Sequence, residues 1–160
     1  MVNVLFVCLG NICRSPMAEA VFKKLAAEAG LAGKISVDSA GTGHWHVGEL
    51  PHEGTRDILA EHEIDYTGIK ARQIEKADIN TYDYIIAMDA ENLGNLHRLK
   101  GMGESGYIGR LLDFVPESRF EDVPDPYFTG NFDEVYALVQ EGSKRLLHFI
   151  IEREGWQYQA

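Results

Sequence analysis

Cys8 and Arg14, set in the run Cys8-Leu9-Gly10-Asn11-Ile12-Cys13-Arg14-Ser15, are the residues best placed to do chemistry in this chain. A thiolate is a strong nucleophile, and a guanidinium presents a planar fork that grips two phosphate oxygens at once. Between them, Gly10 and Asn11 adopt φ > 0 cheaply, so the loop can curl and aim backbone N–H groups inward. An apolar run, Val4 to Val7, precedes the loop, and a helix-like one, Ala18 to Ala29, follows it. A helix starting there adds free donors and the positive end of its dipole. Together they predict a cradle for a tetrahedral dianion, built from Leu9, Gly10, Asn11, Ile12, Cys13 and Ser15, with Cys8 at its base and Arg14 at its rim. A free cysteine has a pKa of about 8.5, and helix N-termini or nearby cations lower it to roughly 3.5–7.5. Cys8 is therefore expected as a thiolate, with the Ser15 hydroxyl donating to its sulfur. A lone strand-end cysteine is more often a buried core residue. Arg14, Ser15, the loop glycine and the following helix tip the reading to a nucleophile.

A thiolate that attacks phosphorus needs an acid to protonate the departing oxygen. The segment Val123-Pro124-Asp125-Pro126-Tyr127-Phe128 supplies one. Its two prolines keep the segment out of regular structure and would hold Asp125 on a rim loop. Beside thiolate and phosphate charge, such a carboxyl keeps its proton long enough to donate it. It then takes a proton from the water that attacks the phosphocysteine. Asp-Pro is also a common turn, and Asp113, Glu117, Glu121 and Asp122 lie close enough to compete.

The elements that must position these residues alternate along the chain. Val2–Val7 reads as a strand and Pro16–Ala29 as a helix, with Ser15 as its cap, Pro16 in its first turn and Gly30 at its end. Ile35–Ser39, Tyr84–Ala87 and Tyr107–Leu111 read as further strands. Pro51–His62, Asp89 to about Arg98, and Asp133–Glu152 carry helical periodicity. This order predicts an α/β fold: a single domain over 1–160, with an open, parallel four-stranded sheet and helices on both faces, Rossmann-like. In such sheets the site lies beyond the carboxyl ends of the strands, where Cys8 would stand.

Of the 160 residues, 45% are hydrophobic and 25% charged, as in ordinary globular domains. The net charge of −10, without any Lys/Arg cluster, argues against nucleic acid as a partner and disfavours highly anionic substrates. No apolar run approaches the roughly 20 residues of a membrane span. The start Met1-Val2-Asn3 has no basic leader, so a cytoplasmic location is expected. The two cysteines share one loop and do not form a secreted-type disulfide framework. His52, His62 and His97 show no metal-ligand spacing, and His44 and His46 read as solvated loop residues. No metal or organic cofactor is expected. Oligomeric state is left open.

Over essentially its whole length the sequence resembles the low-molecular-weight protein tyrosine phosphatases. The likeness rests on Cys8–Ala20, Asp38–Leu59, Tyr82–Asp89 and Val123–Phe128. It implies hydrolysis of phosphotyrosine in proteins, releasing inorganic phosphate, with Cys8 as nucleophile, Arg14 binding phosphate and Asp125 as general acid and base. By the same resemblance Asn11 holds the loop in a strained form, supported by Ser15 and Ser39. Leu9, Trp45 and Tyr127 match the walls of an aromatic cleft, and Cys13 matches a second loop cysteine that forms a reversible disulfide with Cys8 under oxidation. Two positions depart from the family pattern. Ile69 stands where a supporting histidine often precedes the Lys70-Ala71-Arg72-Gln73 stretch, so one bond behind Asn11 is expected to be missing or replaced. Tyr127-Phe128 replaces a tyrosine pair, leaving one hydroxyl there for phosphorylation.

Three rival readings fit the residues less well. Protein arginine phosphatases of the same family carry Thr at the position of Ile12, which favours tyrosine here. Thiol-dependent arsenate reductases need a further cysteine pair, and no cysteine follows Cys13. A silent phosphotyrosine-binding module would be expected to lack the cysteine or the acid.

Overall fold

The first strand, β1 (Val2–Cys8), contains four consecutive residues, Val4 to Val7, that are wholly buried. A continuous apolar run of this kind belongs to a central strand covered on both faces. In the computed structural model, which describes residues 1–157, β1 pairs in parallel with β2 (Ile35–Gly41) on one side and β3 (Tyr84–Ala87) on the other. Beyond β3 lies β4 (Tyr107–Arg110), also parallel, giving the order β2-β1-β3-β4. The Rossmann-like α/β sheet expected from the sequence is therefore present.

Alternation along β1 sorts its side chains between two cores. Val4 and Phe6 pack with Tyr84 and Ile86 against α1 (Arg14–Glu28) and the long α6 (Phe132–Glu154), with Phe6 edge-on to Phe22 at 5.5 Å. α2 (Glu53–Glu61) packs against both of those helices. Leu5 and Val7 pack with Ile85 and Ala87 on the opposite face, against Ile79 of α3 (Lys76–Thr81) and Leu96 of α4 (Ala90–Lys100). Just before α6 in the chain, α5 (Pro126–Thr129) is one short turn.

Several boundaries differ from the sequence reading. Ser15 is not the cap of α1. The helix begins at Arg14 on the backbone of Cys13, with no side-chain cap, because the Ser15 hydroxyl is spent on the Cys8 sulfur. Gly30 does end that helix, at φ 76°, a conformation that favours glycine. α3 was not anticipated: six residues are too few for a period, and a reciprocal capping pair between Glu75 and Asp78 holds it. The fourth strand stops at Arg110, and Leu111–Phe114 turns into a 3₁₀ helix held by Asp113 on the Arg110 backbone.

The chain leaves β1 toward one edge and returns to β3 on the other side. The carboxyl ends of β1 and β3 therefore flank the switch point of the sheet, where such folds open a crevice. Among the described residues, no helix is long and apolar enough to cross a membrane.

Candidate active site

Cys8 is the last residue of β1 and faces Gly41 across the sheet. A β-carbon at Gly41 would lie 2.9 Å from the Leu9 carbonyl and 3.1 Å from Asn11, so only glycine lets the loop sit this close to β2. The surrounding chain clamps the loop by its carbonyls. Thr42 N–H donates to Cys8 (2.9 Å), Gly43 N–H to Leu9 (2.9 Å), His52 N–H to Ile12 (2.7 Å) and the Thr55 hydroxyl to Cys13 (3.1 Å). In a trans peptide the N–H points opposite to the carbonyl before it, so carbonyls held from outside turn the amides of Leu9, Gly10, Cys13 and Arg14 inward. Asn11 takes φ 56°, the left-handed conformation expected of it, and its N–H donates to the Cys8 sulfur at 3.2 Å. Ser15 Oγ lies 2.9 Å from the same sulfur. The Asn11 amide and the Ser15 hydroxyl thus converge on Cys8.

Behind the loop, Asn11 Nδ2 donates to Ser15 (2.7 Å) and Ser39 (3.0 Å), while its oxygen accepts from the Arg72 N–H (2.9 Å). Every polar atom of the Asn11 amide is used. Ile69 is buried in the apolar core, and behind Asn11 the Ser39 hydroxyl gives its hydrogen to Glu19 (2.7 Å).

Arg14 is only 2% exposed. One of its terminal nitrogens donates to Asp89 (2.6 Å) and to the Val123 carbonyl (2.9 Å), and the other meets Asp125 at 3.4 Å. Burial opposes its charge, but the negative charges of Cys8, Asp89 and Asp125 outweigh that and hold it above the usual guanidinium range. Its Nε is buried without a protein partner. Asp125 caps α5 by accepting from the Tyr127 N–H (3.1 Å). Of the competing acids, Asp122 is taken up by the Ala90 N–H and Arg110, Asp113 by Arg110 and Glu117 by Arg145. None of these, nor Glu121, lines the cleft; Asp125 does.

That cleft holds about 380 Å³. It is lined by Cys8, Leu9, Gly10, Ile12 and Cys13 of the loop and by Trp45 and Tyr127. Trp45 is 64% exposed and stacks on His44 at 5.8 Å, while Tyr127 is 53% exposed. His46 is not merely a solvated loop residue: it lines the cleft with Phe128, bonds to Glu49 (2.8 Å) and tilts against Tyr127 at 6.0 Å. Both cysteines are free thiols. Burial, then the charges of Asp125 and Cys8, push the Cys13 thiol up to about 12 despite Arg14. Among the described residues no group of His, Cys, Asp or Glu is arranged to hold a metal ion.

Sequence reasoning passed over Asp89, Arg72 and Glu19. Asp89 follows the buried strand β3 as the loop follows β1, and that shared placement was the available signal. The roles of Arg72 and Glu19 depend on contacts across 61 and 20 positions, respectively.

A family model described as low molecular weight phosphotyrosine protein phosphatase matches residues 3–155. The chain is 57% identical over 147 residues to the low molecular weight protein-tyrosine-phosphatase YfkJ of Bacillus subtilis, covering 92% of this chain and 94% of that one. Its identity to the PtpA phosphatase of Staphylococcus haemolyticus is 45% over 152 residues, covering 95% and 96%. The crystal structure of YfkJ superposes with a TM-score of 0.93 at 56% identity over 96% of each chain. A Drosophila arginine phosphatase superposes at 0.86 with 35% identity, over 92% of this chain and 96% of that one. The loop around Cys8, the sheet that carries it and these likenesses agree: the chain belongs to the low molecular weight phosphotyrosine protein phosphatase family.

Proposed function

We propose that this protein is a phosphoric monoester hydrolase that removes phosphate from phosphotyrosine in proteins through a phosphocysteine intermediate. Loop amides and Arg14, through its unpaired Nε, receive the phosphate oxygens. Cys8 Sγ attacks phosphorus in line with the ester oxygen. The S–P bond forms, the P–O bond breaks, and Asp125 gives its proton to the leaving phenol oxygen. A water then attacks phosphorus and loses a proton to Asp125, and the S–P bond breaks to release inorganic phosphate and the thiolate. A ring between Trp45 and Tyr127 would reach the recessed sulfur where a phosphoserine would fall short. Ile12 in the cleft base offers no hydroxyl to a guanidinium, which favours tyrosine over arginine. Should a peroxide oxidise the Cys8 thiolate to a sulfenic acid, Cys13 Sγ would attack its sulfur, water would leave with the Cys13 proton, and the disulfide formed would spare the nucleophile deeper oxidation.

The convergence of the Asn11 amide and Ser15 hydroxyl on Cys8, below the Asp125 rim, carries this reading. The test is phosphate release from matched phosphotyrosine, phosphoserine and phosphoarginine peptides, with Cys8→Ser as blank. Release from phosphotyrosine alone is expected. Preference for phosphoarginine would overturn the reading of Ile12 and the aromatic walls, and turnover by Cys8→Ser would overturn the mechanism.

A further inference from the structure

The hydrogen bonds behind the loop have a direction, and it is set at the end farthest from Cys8. The Arg72 N–H fixes which end of the Asn11 amide is oxygen, so its NH₂ group faces two hydroxyls. Both hydroxyls accept there, and each must send its own hydrogen elsewhere. Ser15 has the Cys8 sulfur at 2.9 Å, and Ser39 has Glu19 Oε1 at 2.7 Å. A carboxylate only accepts, so Ser39 has no choice of direction. Glu19, in α1, is 4% exposed, and acids so deep are rare unless paired. Its other oxygen is held by Lys23 at 2.8 Å, whose side chain is half exposed. Turning the Ser39 hydroxyl around would set hydrogen against hydrogen at Asn11 Nδ2 and pull that amide off Ser15.

We propose that Glu19 is a positioning residue: its buried carboxylate polarises the Ser39–Asn11–Ser15 chain so that the Ser15 hydrogen points at the Cys8 sulfur. This rests on Cys8 being the nucleophile. Glu19 acts through three intervening side chains and touches no substrate.

The test exploits Lys23. In Glu19→Gln the ammonium claims the amide oxygen, and the amide NH₂ falls to Ser39, reversing its hydroxyl in an unchanged shape. The pH midpoint of Cys8 alkylation by iodoacetamide should rise by about one unit, and kcat on p-nitrophenyl phosphate should fall about tenfold, the scale of one hydrogen bond to a charged group. KM should change little. Adding Lys23→Met frees the amide oxygen to accept from Ser39 again. Glu19→Gln with Lys23→Met should therefore recover most of both losses, while Lys23→Met alone stays near the parent. Ser39→Ala, which removes the link without touching α1, should raise the midpoint too. A Glu19→Gln protein indistinguishable from the parent, a double variant as impaired as Glu19→Gln, or an unmoved midpoint in Ser39→Ala would each overturn the proposal. The midpoint is read on the thiol without substrate. Turnover by Cys8→Ser would therefore defeat the nucleophile reading separately.

Discussion

At the scale of single residues, Asp125 and its neighbouring competitor Asp122 part company by what each already holds. Asp122 is occupied with a helix end and Arg110, whereas Asp125 stands in the cleft wall beside Arg14. Asp125→Ala should slow hydrolysis by roughly 10²–10⁴ with substrate binding kept, the usual scale for loss of a general acid. Asp122→Ala should leave kcat within a few-fold, and the reverse ranking in steady-state assays would refute the assignment. The two cysteines separate in the same way. Cys13 ionises near 9 without the fold and near 12 within it. The folded protein thus keeps a proton that the unfolded chain releases. The stability from this is whole below pH 9 and drains away as pH rises toward 12. Urea midpoints across that range should fall more steeply in the parent than in Cys13→Ala, and parallel curves would contradict the burial argument. Neutral iodoacetamide should label Cys8 and spare Cys13, read by peptide mass.

At the scale of elements, the fold was legible where a side chain's own neighbours decide it. The apolar run of β1, Gly30 and the periodicity of α6 marked their elements because each rests on local physics. Ser15 misled for the same reason: a serine before a helical run is a good cap, and nothing local tells that a sulfur across the loop has claimed its hydroxyl. The cradle itself was readable because it lies within one short stretch. Of its supports, Asp89 and Arg72 come from other elements, and Glu19, in the same helix as Arg14, joins it only through Ser39 of β2, once the sheet assembles. Gly41 belongs to this hidden class. Gly41→Ala should force Leu9 and Asn11 off β2, at a stability cost of about 1–3 kcal/mol by overpacking. It should also lower kcat, because the displaced atoms belong to the loop. Unchanged chemical melts with unchanged turnover would show that the loop yields freely.

At the scale of the whole molecule, a net charge of −10 surrounds the site proposed to take phosphate. There Arg14 and the loop would attract phosphate at short range, while the surface field would act on whatever flanks it. A phosphotyrosine peptide flanked by lysines should show a higher kcat/KM at low salt than one flanked by glutamates. The gap should close as added salt shortens the screening length from about 10 Å toward about 3 Å. Equal rates at low salt would remove the field from any account of selectivity. The unpaired Nε of Arg14 reaches further still. The cradle around it is lost when the loop unravels, so an oxyanion is a ligand of the native state alone. Orthophosphate, the product of the proposed reaction, should then raise the melting temperature, adding about 2.7 kcal/mol at a hundredfold excess over its dissociation constant. The ion that slows turnover by filling the cradle would also act as the fold's preservative.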